Sequence, residues 1–331
     1  MKSLPTWPAR RAQLAQWYAG ARRDLPWRRT TDPYAIVVSE LMLQQTQVVT
    51  VIPYYERWLA QFPTWAALAR APKRTVLKAW EGLGYYTRAR NLHALAKAVT
   101  KAGGELPRTE EGLRALPGFG PYTAAAVGSI AFGLPLAVLD GNVMRVLTRL
   151  LAMPDDISRP QTRARLQQVA DQFLDWNRPS EHNQAVMELG ATVCLPRKPL
   201  CLLCPLQESC EGRDRAEEFP VKSRAPQLKR TETVAVLCHG DRLYCEQVQG
   251  KPWHGLWRFP DFDPQRMDRG EVLATVRYGI TRYSVTMEAV AATWKGRAPV
   301  SATVRYLAAE EIGAYAFAAP HRRLARLLMQ S

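Results

Sequence analysis

The stretch Leu116-Pro117-Gly118-Phe119-Gly120-Pro121-Tyr122-Thr123-Ala124-Ala125-Ala126-Val127 decides how the front of this chain is read. Glu110 to Leu116 before it has helical composition, and Thr123 onward is apolar and alanine-rich. Two helices are therefore expected on either side of a tight turn. Glycines and prolines make that turn a close hairpin that exposes backbone N–H groups, and the second helix points its positive N-terminal end to the same place. Such a turn can hold a phosphate without any side chain. It can equally be a plain helical hairpin that binds nothing.

Charge tips that choice toward DNA. The 331 residues carry 45 Lys plus Arg against 30 Asp plus Glu, a net +15. The excess is spread over the chain and is not a basic tail, so the surface as a whole attracts a polyanion. With 47% hydrophobic and 23% charged residues, the composition is that of an ordinary globular protein and excludes wholesale disorder. At roughly 150 residues per domain, two or three domains are expected. The longest apolar run, Thr123 to Leu139, is interrupted by Gly and Pro and is too short to span a membrane. The start, MKSLPTWPARRAQLAQW, has no apolar core before a small-residue cleavage site, so no secretory signal is expected. The expected location is the cytoplasm, nucleoid-associated, with no membrane partner.

Working outward from the hairpin, residues 1 to about 210 read as helical, with apolar residues at three- and four-residue steps, as in Leu92-Leu95-Ala96-Val99. Gly212 to Arg230 is polar, contains Pro220 and Pro226, and reads as a linker. Beyond it, Thr233–Leu237, Tyr283–Met287 and Ala302–Tyr306 look like strands and His321–Met329 like a helix. An all-α front and a small α/β back domain are expected.

Four of the six cysteines, Cys194, Cys201, Cys204 and Cys210, fall within seventeen residues. In a reduced compartment these read as metal ligands before disulfides. Zinc sites usually use two close pairs. Here one pair is flanked by two single cysteines, which leans toward an iron–sulfur cluster. The basic loop between the first two, with Arg197 and Lys198, contacts phosphates or is simply solvated.

Two carboxylates stand out. Glu40, in Val37-Val38-Ser39-Glu40-Leu41-Met42-Leu43, is an acid among apolar residues; burial would raise its pKa and suit it to general acid work. By pattern alone, a helix-start carboxylate near Ser39 is the favoured reading. Asp140, in Leu139-Asp140-Gly141-Asn142-Val143, stands where a helix N-cap stands, and that is its favoured reading from pattern alone.

Taken in order, Ser39-Glu40-Leu41-Met42-Leu43-Gln44-Gln45-Thr46, Gly82-Leu83-Gly84-Tyr85-Tyr86, the Leu116–Tyr122 hairpin, Leu139–Val143 and the four cysteines resemble the MutY-type adenine DNA glycosylases. These are iron–sulfur helix–hairpin–helix enzymes. The resemblance is dense over residues 5 to about 212 and looser beyond. It implies a helix–hairpin–helix subdomain over 30–136, an iron–sulfur subdomain from 1–29 and 137–212, a linker over 213–229, and a MutT/Nudix-like domain over 230–331.

The resemblance also implies roles. The family flips adenine out of a mismatch with 8-oxoguanine or guanine in double-stranded DNA. Glu40 would protonate the adenine, and Asp140 would stabilise or capture the sugar cation. Tyr122 and Asn142 would assist. Trp27, Arg28, Leu43 and Gln184 resemble the lining of the adenine pocket, and Gln45 and Tyr85 resemble wedge residues that enter the base stack. Gly118 and Gly120, with Arg197 and Lys198, would hold the DNA backbone, and the four cysteines one 4Fe–4S cluster. A monomer is expected, with no protein partner implied.

Relatives of the endonuclease III type carry a lysine where this chain has Tyr122. Strong strand cleavage is therefore not expected, and a G·T-mismatch thymine glycosylase or a catalytically silent iron–sulfur DNA-binding protein remains an alternative. In the back domain, Gly255-Leu256-Trp257-Arg258-Phe259-Pro260 resembles the family, but no Nudix box of clustered glutamates is present. Where the family reads 8-oxoguanine with Phe-Ser-His, the aligned stretch is Tyr278-Gly279-Ile280-Thr281-Arg282-Tyr283, with arginine in place of histidine. Thr281 and Arg282 can still donate hydrogen bonds to the oxidised base.

Overall fold

The computed structural model describes residues 6–223, 226–250 and 252–329. The front is helical throughout. Its elements are α1 (Trp7–Ala21), α2 (Pro33–Leu43), α3 (Val48–Gln61), α4 (Trp65–Arg70), α5 (Lys73–Ala79) and α6 (Thr87–Lys101). They continue as α7 (Glu110–Arg114), α8 (Pro121–Phe132), α9 (Gly141–Leu150), α10 (Pro160–Phe173) and α11 (Pro179–Thr192). The back holds β1 (Leu228–His239), β2 (Arg242–Gln247), β3 (Trp257–Arg258), β4 (Met267–Ile280), β5 (Tyr283–Trp294) and β6 (Val304–Leu307). Two helices follow, α12 (Ala309–Ile312) and α13 (Ala319–Leu328). No helix among the described residues is long and apolar enough to cross a membrane.

These elements form two compact units. The described residues of Met1–Ala69 and Ala94–Arg224 make one, and those of Arg70–His93 and Ala225–Ser331 make the other. Residues 70–93 thus fold with the sheet, although the sequence surrounds them with front helices.

In the first unit, α8 and α9 pack on α11, with Ala126, Val146, Leu147 and Leu189 in the shared core. The α7–α8 turn is the expected helical hairpin. Gly118 has φ 84°, which only glycine adopts without strain. Gly120 caps α8, and Pro121 opens it, where its missing N–H costs nothing. The first part of the expected linker is docked on this unit. The Ile157 N–H donates to the Val221 carbonyl at 3.0 Å, and Arg149 Nε donates to the carbonyls of Ala216 and Phe219 at 2.6 and 3.1 Å. Arg224 and Ala225, within the same stretch, lie outside the described residues.

In the second unit the sheet order is β3-β2-β1-β5-β4, with β6 beside β2. β1 runs parallel to β5, and the other pairs are antiparallel. β1 is buried on both faces: Val234 and Val236 enter one core, Ala235 and Leu237 the other. This explains why its apolar run is continuous and does not alternate. β4 is an edge strand with two register shifts, mostly exposed, and it has no apolar signature.

Candidate active site

Glu40 is carried by α2, whose N-cap is Asp32. The Asp32 carboxylate accepts from the Tyr34 N–H at 3.0 Å and caps the helix. Glu40 lies in the last turn of α2, so the reading of it as a helix-start carboxylate fails; Asp32 is that residue. The Glu40 side chain is buried, with 6% exposure. Tyr122, in the first turn of α8 just past the hairpin, donates its hydroxyl to Glu40 Oε2 at 2.8 Å. Burial pushes Glu40 up to about 7; the Asp140 charge adds to this, while the Tyr122 hydrogen bond and Arg28 oppose it. Burial and the same carboxyl drive the Tyr122 phenol well above its usual range.

Asp140 is the N-cap of α9, as its pattern suggested. Its Oδ1 accepts from the Val143 N–H at 2.7 Å, and its Oδ2 from Asn142 Nδ2 at 3.0 Å. Burial raises its pKa against these hydrogen bonds, which favour the charged form. The cap is also part of a cavity. Glu40, Tyr122, Asp140 and Asn142 all line one opening of about 620 Å³. Trp27, Arg28, Leu43, Gln45 and Gln184 line it too, as do Gly118 and Gly120 of the hairpin. Eleven residues picked from sequence positions 27 to 184 therefore share one space. Gln45 stands at its rim, exposed, with φ 59°.

The four cysteines are free thiols, half-buried around a second, small pocket. Burial pushes Cys204 up to about 12 and Cys210 up to about 11. Arg149, 2% exposed, lines the same pocket with Nη1 3.3 Å from Cys194 Sγ. Arg149 also donates to the carbonyls of Leu195 and Pro196 at 2.7 and 3.2 Å, fixing the loop that carries Arg197 and Lys198. Both of those side chains are exposed, and Lys198 has φ 48°.

Tyr85, Thr281 and Arg282 belong to the second unit. Thr281 and Arg282 form the two-residue tip between β4 and β5, where Ile280 pairs with Tyr283. Both are exposed, and Thr281 has φ 51°. The Arg282 guanidinium lies over the Tyr283 ring at 5.5 Å. Tyr85 is 61% exposed with φ 46°. Among the described residues, five non-glycines have positive φ, and four of them, Gln45, Tyr85, Lys198 and Thr281, are candidates chosen from the sequence. Backbone strain of this kind gathers at functional sites.

Residues 38–172 match the family described as HhH-GPD superfamily base excision DNA repair protein. Adenine DNA glycosylase of Homo sapiens is 49% identical over 283 residues, 80% of this chain and 51% of that protein. Adenine DNA glycosylase of Buchnera aphidicola subsp. Baizongia pistaciae is 32% identical over 275 residues, 81% of this chain and 77% of that protein. The chain belongs to the adenine DNA glycosylase family. It spans about half the length of the human relative. Among solved structures, a thermostable thymine-DNA glycosylase aligns with a TM-score of 0.57 and 29% identity, covering 63% of this chain and 98% of that one.

Several residues that build this cavity gave no signal strong enough to single them out. Glu188, 1% exposed, lines the cavity and is clamped by Arg23 at 2.7 Å and by Arg28 at 2.9 Å. Burial works against its charge, but the two arginines win and hold its carboxyl down to about 2. Arg28 is thereby fixed at the cavity wall. Asn183 accepts from the Val138 N–H at 3.2 Å and donates to the Leu136 carbonyl at 2.7 Å, holding the chain that leads to Asp140. Arg145 donates to Asn142 Oδ1 at 2.8 Å, which turns the Asn142 amide N–H toward Asp140, and to the Cys194 carbonyl at 2.7 Å. Gly190 lets α11 approach α9 closely: a Cβ there would lie 2.6 Å from the Asn142 Cβ. The available signal was a charge inside an apolar helix, as in Val186-Met187-Glu188-Leu189, and Arg145 and Arg149 one turn apart.

Proposed function

We propose that this chain is a monofunctional DNA glycosylase that removes adenine mispaired with 8-oxoguanine or guanine, working as a monomer on double-stranded DNA. The observation that carries this reading is the Tyr122–Glu40 hydrogen bond in a cavity that Asp140 also lines. A carboxyl held near 7 is protonated about half the time at neutral pH and can hand its proton to a flipped adenine, which otherwise leaves slowly as an anion. Tyr122 holds the Glu40 carboxyl in place. Asp140, with charge-favouring bonds from Val143 and Asn142, opposes the sugar cation or bonds to it transiently, as in retaining glycosidases. Trp27, Arg28, Leu43 and Gln184 enclose the base, and Gln45 and Tyr85 fill the stack it leaves. A phenol at position 122 forms no Schiff base, so strand cleavage stays weak.

Cys194, Cys201, Cys204 and Cys210 would hold a 4Fe–4S cluster. Four thiols around one small pocket beside the buried Arg149 cation suit a thiolate-bound group. Bound there, it would act structurally, by stiffening the loop that carries Arg197 and Lys198 toward phosphates. The sheet unit, a MutT/Nudix-like domain without a Nudix box, reads the base opposite adenine through Thr281 and Arg282.

The test is incubation with duplexes holding A·8-oxoguanine, A·G, T·G and matched pairs, followed by alkali. Breaks at adenine are expected. Breaks at thymine would make the chain a thymine glycosylase, and no breaks would make it a silent DNA-binding protein.

A further inference from the structure

The Gly82–Tyr86 turn is gripped at both ends by the sheet unit. On one side, Glu81 Oε1 accepts from Arg322 Nε at 2.9 Å, from Arg322 Nη2 at 2.7 Å and from the Phe317 N–H at 3.0 Å. The two charged side chains are 17% and 14% exposed, well shielded from water. Lys78 donates to the second Glu81 oxygen. Arg322 is itself fixed: it donates to the Ile312 carbonyl at 2.9 Å and lies over the Phe317 ring at 4.9 Å. On the other side, the Tyr86 hydroxyl donates to the Phe317 carbonyl at 3.4 Å, and Arg90 Nη1 to the His254 carbonyl at 2.9 Å.

Between these grips the turn is held rigidly. Trp80 Nε1 and Arg88 Nη2 donate to the Gly84 carbonyl at 3.0 and 3.2 Å. The Arg88 guanidinium lies 5.5 Å from the Tyr85 ring centre. Tyr85 is thereby kept exposed with a left-handed backbone, a conformation that persists only where its surroundings over-determine it.

We propose that Glu81 and Arg322 are positioning residues for opposite-base specificity. They make the Tyr85 turn and the Thr281–Arg282 tip parts of one body, so that insertion of Tyr85 and reading of the base opposite adenine are a single step. This rests on the roles proposed above for Tyr85 and the tip. Two loops on independent bodies would each lose freedom on binding DNA; on one body, ordering either one orders both. Recognition of 8-oxoguanine is then expressed as productive insertion of Tyr85.

The test uses the full chain with Glu81→Ala, and with Glu81→Gln, which keeps an acceptor for the Phe317 N–H but loses the charge. Single-turnover excision is measured on A·8-oxoguanine and A·G duplexes, with 2-aminopurine beside the 8-oxoguanine reporting opening of the stack. Glu81→Ala should lower the A·8-oxoguanine rate and the fluorescence signal roughly 3- to 30-fold, leave A·G little changed, and add nothing in a Tyr85→Ala background. Glu81→Gln should fall between, and it carries the test alone should the alanine variant fail to fold. Equal losses on both duplexes, or losses additive with Tyr85→Ala, overturn the proposal. So does a wild-type Glu81→Ala beside an impaired Tyr85→Ala. A Tyr85→Ala variant that matches wild type on both duplexes instead overturns the wedge role beneath it.

Discussion

Glu40→Gln should stabilise the protein at alkaline pH while it abolishes excision. Burial lifts the Glu40 carboxyl from 4.5 to about 7. Between those values the folded protein holds a proton that the unfolded chain has released, so stability falls as pH rises through the window. The slope is about 1.4 kcal/mol per pH unit, and the whole fall is roughly 3 kcal/mol, complete above pH 7. Below pH 4.5 both states are protonated and nothing is lost. Glutamine has the same shape, never ionises, and can still accept the Tyr122 hydroxyl. The stability gain of the variant should therefore be near zero at pH 4.5 and roughly 3 kcal/mol at pH 8. For a unit of this size that is a rise of roughly 6–12 °C in Tm. Thermal unfolding of both proteins across this pH range measures it. In parallel, wild-type single-turnover excision should fall about tenfold per pH unit above 7, as the acid form is depleted. A gain that is the same at every pH would show that Glu40 is ionised throughout. It could then donate no proton, and the general acid assignment would fail.

Asp140→Asn separates cap from catalyst, because asparagine caps helices as well as aspartate does. The new amide oxygen can still accept from the Val143 N–H, but its NH2 loses the bond from Asn142 Nδ2, so stability should fall by no more than roughly 1–3 kcal/mol while excision falls by at least about a hundredfold; a wild-type rate would leave Asp140 with the cap role alone. Gly190→Ala drives a methyl group to 2.6 Å from the Asn142 Cβ and 3.1 Å from its Cα, so it should cost roughly 1–3 kcal/mol and slow excision. Unchanged Tm and rate would show that the close approach does not hold Asn142. Purified protein should carry about four irons per chain, and Cys201→Ser should lose iron and DNA affinity together; stoichiometric zinc with full affinity would refute the cluster. Arg282→Ala should weaken binding to A·8-oxoguanine by about 1–3 kcal/mol more than to A·G. Equal losses in competition binding would mean that Arg282 grips only the backbone.

Features governed by near neighbours were legible in the sequence. The α7–α8 hairpin, the cap at Asp140, the helical front, the central strands β1 and β5 and the cysteine group all follow from residues a few positions apart. Local sterics and capping bonds act over that range. The edge strand β4 was not legible, because an exposed strand with shifted pairing needs no apolar alternation. The buried charges, Glu188 with Arg23 and Arg28, and Arg149 under the cysteine loop, were hidden because the partners that make their burial tolerable lie 45 to 165 residues away.

The sequence by itself determined which side chains were available: a lone acid in an apolar helix, a tyrosine after the hairpin, an aspartate at a helix start. Only the tertiary structure decided what they became. Glu40 and Tyr122 stand 82 residues apart in the chain and 2.8 Å apart in the fold, and the burial that pushes Glu40 up to about 7 comes from helices that meet around it. Residues 70–93 likewise read as one more stretch of the helical front, and only packing assigned them to the sheet unit through Glu81, Arg322 and Phe317. The reason is common to both. Spacing along the chain sets local geometry, whereas desolvation and charge pairing depend on whatever distant segment closes over the group.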